Sequence, residues 1–97
     1  MTVRWTRRSL RRIDRIVGHV ALYNAGAAAR LFERILESGE ALTDQPHMGR
    51  PGRYIGTREL VIEGGRYVVV YRVRGTEVHV VTVHDARQPW PDEWRDA

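Results

Sequence analysis

The chain has 97 residues, of which 42% are hydrophobic, and it carries a formal net charge of +4; this length predicts a single domain over residues 1–97 with a small core. It contains no cysteine, which excludes a disulfide framework and thiolate chemistry. It also contains no apolar run long enough to span a membrane and no signal-peptide pattern, so we expect a cytoplasmic protein without membrane contact.

All 16 cationic residues are arginines and none is a lysine. Arginine keeps its charge at every working pH and binds carboxylates and phosphates through paired hydrogen bonds. The composition therefore indicates a partner that is either an acidic protein or a nucleic-acid backbone. A GC-rich genome is the alternative explanation for the absence of lysine.

The first half of the chain predicts a strand and two helices. Residues 2–5 alternate between apolar and polar and predict an edge strand, after which Thr6 can cap a helix over residues 7–23. A second helix is expected over residues 25–43, antiparallel to the first because the connection is short. Gly39 lowers the helix propensity, so fraying is expected from there. The apolar positions that should face the core are Leu10, Ile13, Val17 and Val20 in the first helix and Ala28, Leu31, Phe32, Ile35 and Leu42 in the second.

The remaining surface of the first helix is strongly basic. Only Asp14 balances a set of arginines, namely Arg7, Arg8, Arg11, Arg12 and Arg15. These side chains form either a solvated face or a surface for an acidic partner.

The second half predicts a three-stranded antiparallel sheet. Residues 44–56 hold several glycines and prolines and are expected to form a loop. The expected strands are 57–63, 66–74 and 77–84, joined by turns at Gly64-Gly65 and Gly75-Thr76 and followed by a tail over 86–97. The predicted fold class is therefore α+β, with an N-terminal edge strand, a helical hairpin and a three-stranded meander in the order β-α-α-β-β-β.

The two turns also predict the register of the sheet, and with it which side chains share a face. Across the first turn Ile62 is expected to pair with Tyr67 and Leu60 with Val69; across the second, Arg74 with Glu77, Tyr71 with Val80 and Val68 with Val83. The face expected to pack on the helices holds Leu60, Ile62, Tyr67, Val69, Tyr71, Val73, Val78, Val80, Thr82 and His84. The opposite face, which we name the second face, is expected to hold Glu59, Val61, Glu63, Arg66, Val68, Val70, Arg72, Arg74, Glu77, His79, Val81 and Val83. An apolar centre with a charged rim is typical of a binding surface. The alternative is that the tail covers this centre with Trp90 and Trp94.

No pattern in the chain indicates a phosphate-binding loop or a metal site, and we expect neither a metal nor a cofactor. His79 and His84 lie five residues apart on one predicted strand, which places them on opposite faces, where they cannot easily share a metal ion.

Two carboxylates could support acid–base chemistry on the second face. Glu59 and Glu63 are the candidates, with Arg66 and Arg72 as the cations that a phosphorane-like transition state requires. The simpler interpretation of these charges is a set of cross-strand salt bridges that stabilise the hairpins, Glu63–Arg66 and Arg74–Glu77.

Four segments follow one another in the order in which a known toxin family carries them: GRPGR at 49–53, GTRELVI at 56–62, YVVVYRV at 67–73 and VHDARQPWP at 83–91. Over residues 3–91 the chain resembles the RelE/ParE superfamily of bacterial type II toxins, and its ParE branch most closely. The resemblance implies a toxin that poisons DNA gyrase and is neutralised by a ParD-like antitoxin. It also implies that the toxin contacts DNA only indirectly, through the antitoxin or gyrase.

The resemblance to the nuclease branch breaks at one position. RelE-type toxins, which cut mRNA on the ribosome, place an arginine on the strand where this chain has Val68. A valine cannot stabilise a phosphorane-like transition state, which favours a gyrase poison without catalytic residues. The alternative is a ribosome-dependent mRNA endonuclease that uses Arg66, Arg72, His79 and Arg87. A third possibility is an inactive relative kept for its partner.

The resemblance and the surface composition together predict two sets of binding residues. The antitoxin is expected to contact Arg8, Arg11, Arg12, Arg15, Val61, Val68, Val70, Arg72 and Val81. The target is expected to contact Arg50, Arg53, Arg58, Arg87 and Trp90. The alternatives are that Arg58 pairs with a carboxylate in the sheet and that Trp90 is a packed anchor of the tail.

Overall fold

The computed structural model describes residues 1–92 of the chain. The elements are strand β1 (Thr2–Trp5), helix α1 (Arg7–Ala21), helix α2 (Ala25–Asp44), and strands β2 (Arg50–Pro51), β3 (Arg58–Ile62), β4 (Tyr67–Arg74) and β5 (Glu77–Asp85). The predicted α+β class and the order of its elements are confirmed, and the predicted ends differ from the observed ones by one or two residues.

The strands form one sheet in the order β1-β5-β4-β3-β2. Strand β1 lies at one edge and pairs with β5 in parallel, and the other neighbours are antiparallel. The short strand β2 occupies the other edge, where Arg50 pairs with Glu59 and Pro51 with Arg58. The prediction that these two residues belong to a loop was wrong, because two residues are too few to show an alternating pattern.

Side-chain caps fix the start of both helices. The Thr6 hydroxyl oxygen accepts a hydrogen bond from the Ser9 amide at 3.1 Å and donates one to the Val80 carbonyl at 2.8 Å. The cap thus also ties the start of α1 to β5. The Asn24 side chain accepts from the Ala27 amide at 2.9 Å and begins α2 in the same way.

The core lies between the helices and one face of the sheet. Its buried side chains are Ile13, Leu31, Ile35, Tyr67, Val69, Val80 and Val83. Two residues expected in the apolar stripes, Leu10 and Phe32, are exposed. Ile16 takes the place of Leu10 in the contact with the sheet.

Gly39 is a packing position, and the prediction that α2 frays there was wrong. The helix continues to Asp44. A Cβ atom on Gly39 would lie 2.4 Å from a ring carbon of Trp5. Glycine therefore lets α2 approach the Trp5 ring, which outweighs the conformational entropy that glycine costs in a helix.

A β-bulge changes which residues of β5 face the helices. The predicted pairs hold from Arg74–Glu77 to Tyr71–Val80, but Val70 then pairs with Thr82, which leaves Val81 as the extra residue. The expected pairing of Val68 with Val83 was therefore wrong. The consequence is that Val83 packs in the core between helices and sheet, whereas Thr82 and His84 belong to the second face.

Candidate functional site

The chain's own tail covers the apolar centre of the second face. Val68, Val70 and Val81 are buried in one cluster, and Trp90 packs against it. The tail is held further by the Tyr54 hydroxyl, which donates a hydrogen bond to the Pro91 carbonyl. Trp90 is thus a tail anchor, and a partner that contacts the three valines must first displace it. Trp94, the other residue expected to cover this face, lies outside the described residues.

Arg50 of β2 and Arg53, which follows that strand, are both held by Glu59, and Arg53 also contacts Trp90. The Arg53 guanidinium carbon lies 3.7 Å from the centroid of the Trp90 ring. Arg50 donates to Glu59 Oε1 through Nε at 3.2 Å and through Nη2 at 3.0 Å. The Arg53 amide donates to Glu59 Oε2 at 3.0 Å. Two of the predicted target-binding arginines are therefore held in fixed positions while their side chains remain partly exposed.

Glu59 is the anchor of this arrangement and is only 3% exposed. Burial by itself raises the pKa of this carboxyl group. The hydrogen bonds from the Arg53 amide and the Arg50 side chain, together with both guanidinium charges, outweigh that effect and bring the pKa of Glu59 below its ordinary value. Glu59 is therefore a stable carboxylate, which does not suit it to the role of a general acid.

Arg58 holds the chain that leads into β2. Its Nη1 donates to the Gly49 carbonyl at 2.6 Å and to the His47 carbonyl at 3.2 Å. The Tyr71 hydroxyl supports the same segment by donating to the Pro46 carbonyl at 2.7 Å. The partners of Arg58 are thus backbone carbonyls rather than the carboxylate that was expected as the alternative to target binding.

Arg72 supports an exposed turn at the tip of the loop. Its Nη1 donates to the Ile55 carbonyl at 2.9 Å. Gly56 follows in the left-handed region, with φ of 78°, which a glycine adopts without strain. The Ile55 side chain is 96% exposed at this tip.

A basic cleft lies between α1 and the region where β5 passes into the tail. Its volume is about 970 Å³. It is lined by six arginines, two histidines and a single carboxylate among the described residues: Arg8, Arg11, Arg12, Arg15, Arg66, Arg87, His19, His84 and Asp85. We name it the arginine cleft.

Asp85 lies between two of these cations. Its carboxylate is 3.2 Å from Arg87 Nη2 and 3.6 Å from Arg66 Nε. Burial raises the pKa of Asp85, but the hydrogen bonds from Arg87 and the two positive charges bring it below the ordinary value. One ionised carboxylate therefore offsets only a small part of the positive charge of the cleft.

The four residues named for a nuclease do not form one site. Arg66 and Arg87 meet at Asp85, whereas Arg72 pairs in register with His79. Six residues of extended chain separate Arg66 from Arg72, which corresponds to roughly 20 Å. A single scissile phosphate cannot reach both pairs.

The other carboxylate candidate, Glu63, and the expected hairpin partner Glu77 are held in ion pairs. The Glu63 carboxylate forms an ion pair with Arg34 on α2, at 3.1 Å. The expected hairpin salt bridge was with Arg66 instead. Glu77 lies 3.5 Å from Arg4 and accepts a hydrogen bond from His79 at 3.0 Å. Neither carboxylate lines the arginine cleft.

The helices also present exposed apolar side chains. Phe32 is 40% exposed, and Leu36 one turn later is also exposed, so the two lie on one face of α2. Leu22 and Tyr23 are exposed where α1 ends. On the sheet, Val61 is exposed while the other predicted antitoxin-binding valines are not.

Residues 1–92 contain no helix that has the length and apolarity needed to cross a membrane. Within the same range, no three side chains of the kinds that bind metal ions come together.

His84 and Asp85 belong to this site; both lie in the VHDARQPWP segment that carries the family resemblance, but neither was predicted as a binding residue. Sequence reasoning assigned His84 to the helix face because a strictly alternating strand continues through Val81 to Val83. The bulge is set by packing across the sheet, and three consecutive β-formers at Val81–Val83 carry no mark of it.

The fold and the valine-centred second face define a small toxin of the RelE/ParE class. A family model described as "ParE toxin of type II toxin-antitoxin system, parDE" matches residues 3–90. The chain belongs to this ParE toxin family, as its sequence predicted. A Sinorhizobium fredii protein described as "Putative toxin Y4kP" is 43% identical over 89 residues, which cover 92% of each chain. A solved structure described as "Chromosomal ParDE TA system from P. aeruginosa" is similar with a TM-score of 0.78 and 25% identity, over 88% of this chain and 95% of that chain.

Proposed function

We propose that this ParE-family toxin inhibits DNA gyrase in the cytoplasm and is neutralised by a ParD-like antitoxin. The observation that carries the proposal is Val68, which is buried beneath Trp90 at the position where a nuclease relative would place a catalytic arginine. The centre of the sheet is therefore apolar and packed, and it offers no charge to a reacting phosphate.

The placement of the polar side chains supports a binding protein over an enzyme. A nuclease must bring a general base, a general acid and cations to one phosphate. Here Arg66 and Arg87 are engaged with Asp85, and Arg72 and His79 lie on a distant part of the sheet. No specific feature of the described residues favours the mRNA endonuclease.

The target-binding surface is proposed to consist of β2, the loop between β2 and β3, and Trp90, which this loop contacts. Arg50 and Arg53 are held by Glu59 yet keep exposed side chains. Because their positions are fixed before binding, little conformational entropy is lost when they contact a partner. Arg58, Arg87 and the exposed edge of Trp90 complete the proposed surface.

The antitoxin is proposed to cover the helices and the open part of the sheet. The proposed contacts are the arginines of α1, the exposed apolar pair on α2 and the valine at the sheet edge: Arg8, Arg11, Arg12, Arg15, Phe32, Leu36 and Val61. Such a surface fits a partner segment that combines acidic and apolar residues. Contact with Val68, Val70, Arg72 and Val81 would require the antitoxin to displace the tail.

A supercoiling assay tests this proposal. The purified toxin should inhibit gyrase in a dose-dependent manner, and an equimolar ParD-like protein encoded beside it should restore supercoiling. Gyrase that stays fully active at every toxin concentration, while cells that express the toxin still stop growing, would overturn the proposed target. Failure of the neighbouring protein to bind would overturn the proposed antitoxin independently of gyrase.

A further inference from the structure

The arginine cleft is a strongly basic concave surface among the described residues, and the antitoxin contacts proposed above involve its α1 wall but not Arg66 on the opposite wall. We propose that it binds the phosphate groups of a single DNA strand directly. This goes beyond the contact through antitoxin or gyrase that the family resemblance implies. It does not depend on gyrase being the target.

The walls of the cleft are spaced to follow a strand rather than to hold one ion. Arg8, Arg12 and Arg15 recur at i, i+4 and i+7 and lie on one side of α1, spanning about 10 Å along the helix axis. Arg66 and Arg87 face the same cleft from the sheet and tail. Two separated rows of guanidinium groups can contact successive phosphates of one backbone.

The cleft holds buried polar atoms that make no hydrogen bond within residues 1–92. Arg12 Nε is one of them, and Arg66 Nε is another, although it lies 3.6 Å from the Asp85 carboxylate in an ion pair. Unsatisfied buried polar atoms cost free energy, so a site that keeps them is suited to a ligand that supplies the missing partners.

The lining favours a phosphate backbone over an acidic peptide. Six arginines face one carboxylate, and this positive balance is typical of protein–DNA interfaces. The cleft is also lined by apolar and aromatic residues, namely Ile16, Tyr67, Pro89, Trp90 and Pro91. The excess of positive charge, and not a lack of apolar lining, is therefore what favours the phosphate backbone.

Fluorescence anisotropy with a short labelled DNA strand and the full-length toxin tests the proposal. Arg12→Gln and Arg66→Gln should each weaken binding about tenfold, as expected when one charge-assisted hydrogen bond is removed. Each should also make the plot of the logarithm of the binding constant against the logarithm of the salt concentration less steep. The slope should change by about 0.7 for every phosphate that is no longer neutralised. Arg30→Gln on α2, which makes the same change in net charge outside the cleft, should leave both values unchanged.

Competition experiments separate the other possible ligands. Polyglutamate that displaces the strand at equal charge concentration would overturn the proposal in favour of an acidic peptide. Inorganic phosphate that displaces it at micromolar concentration would show a site for a small anion only. An equal loss of affinity in Arg30→Gln and Arg12→Gln would show that binding depends on net charge alone. If circular dichroism shows that Arg66→Gln is unfolded, Arg15→Gln replaces it with the same expected result.

Discussion

The imidazole of His84 stacks on the indole of Trp90, with ring centroids 3.9 Å apart and planes inclined by 26°. This stacking exists because the bulge at Val81 turns His84 to the second face. It joins the tail to the sheet above the buried valines. His84 and Trp90 also line the arginine cleft. The covering of the second face by the tail and the shape of the cleft therefore both depend on the stacking of these two rings.

Removal of the Trp90 ring should expose the valine cluster of the second face. We expect Trp90→Ala to lower the free energy of unfolding by about 2 kcal/mol. This loss is smaller than that for replacing a fully buried tryptophan, because the Trp90 ring is partly exposed. Urea denaturation measures this decrease, and binding of a hydrophobic dye should rise at the same time. Leu22→Ala, at an exposed position, is the control and should change stability by less than about 0.5 kcal/mol. Unchanged stability and dye binding in Trp90→Ala would show that the tail does not cover this face in solution.

Two glycines in helices should respond to alanine with opposite signs. A Cβ at Gly39 would lie 2.4 Å from Trp5, whereas a Cβ at Gly18 would meet no atom within 4 Å. Gly39→Ala should therefore destabilise the protein by about 1–3 kcal/mol through overpacking. Gly18→Ala should stabilise it by about 0.5–1 kcal/mol through the gain in helix propensity. Thermal unfolding measures both, and equal shifts in the two variants would contradict the packing of Gly39 on Trp5.

The ion pairs of Glu59 should make part of the stability depend on pH. Because the pKa of Glu59 is lower in the folded than in the unfolded state, its contribution is present above its ordinary pKa of 4.5 and is lost as the pH falls through the folded-state value. Near neutral pH, Glu59→Gln should destabilise the protein by about 2 kcal/mol. Urea denaturation should show that this difference shrinks in acid. A difference that stays constant from neutral pH into acid would contradict a charged Glu59.

The exposed apolar pair on α2 should matter for the antitoxin more than for folding. We expect Phe32→Ala to weaken binding of the ParD-like partner about tenfold, the size typical of an apolar anchor. Its effect on stability should be small because the side chain is 40% exposed. Isothermal titration calorimetry measures the affinity, with Leu22→Ala as the control at the end of α1. Equal affinities of wild type and Phe32→Ala would remove α2 from the proposed interface.

Local signals predicted much of this fold. The side chains of Thr6 and Asn24 accept hydrogen bonds from the first free amides of their helices. The Thr6 cap was predicted from its position before the first apolar stripe. Gly64 and Gly65 both adopt positive φ, which is why the hairpin register from Ile62–Tyr67 to Leu60–Val69 could be predicted from the turn.

Features that depend on distant parts of the chain could not be predicted in the same way. Strand β2 exists because Arg50 and Glu59 meet across the sheet, and neither residue marks a strand by itself. The arginine cleft brings α1 together with the tail, which is more than 60 residues away in sequence. The arginines of α1 were predicted as a binding surface and Arg87 as a target-binding residue. That they meet Arg66 and Asp85 in one cleft was not predicted.

This toxin is proposed to act by binding gyrase rather than by cutting RNA. The most direct measurement adds one preparation of the toxin to gyrase with supercoiled DNA and, in parallel, to a translation reaction read by toeprinting. We expect cleaved DNA trapped by gyrase and no break in the mRNA at the ribosomal A site. Cleavage of the mRNA that is abolished in Arg87→Ala, with gyrase unaffected, would contradict this claim.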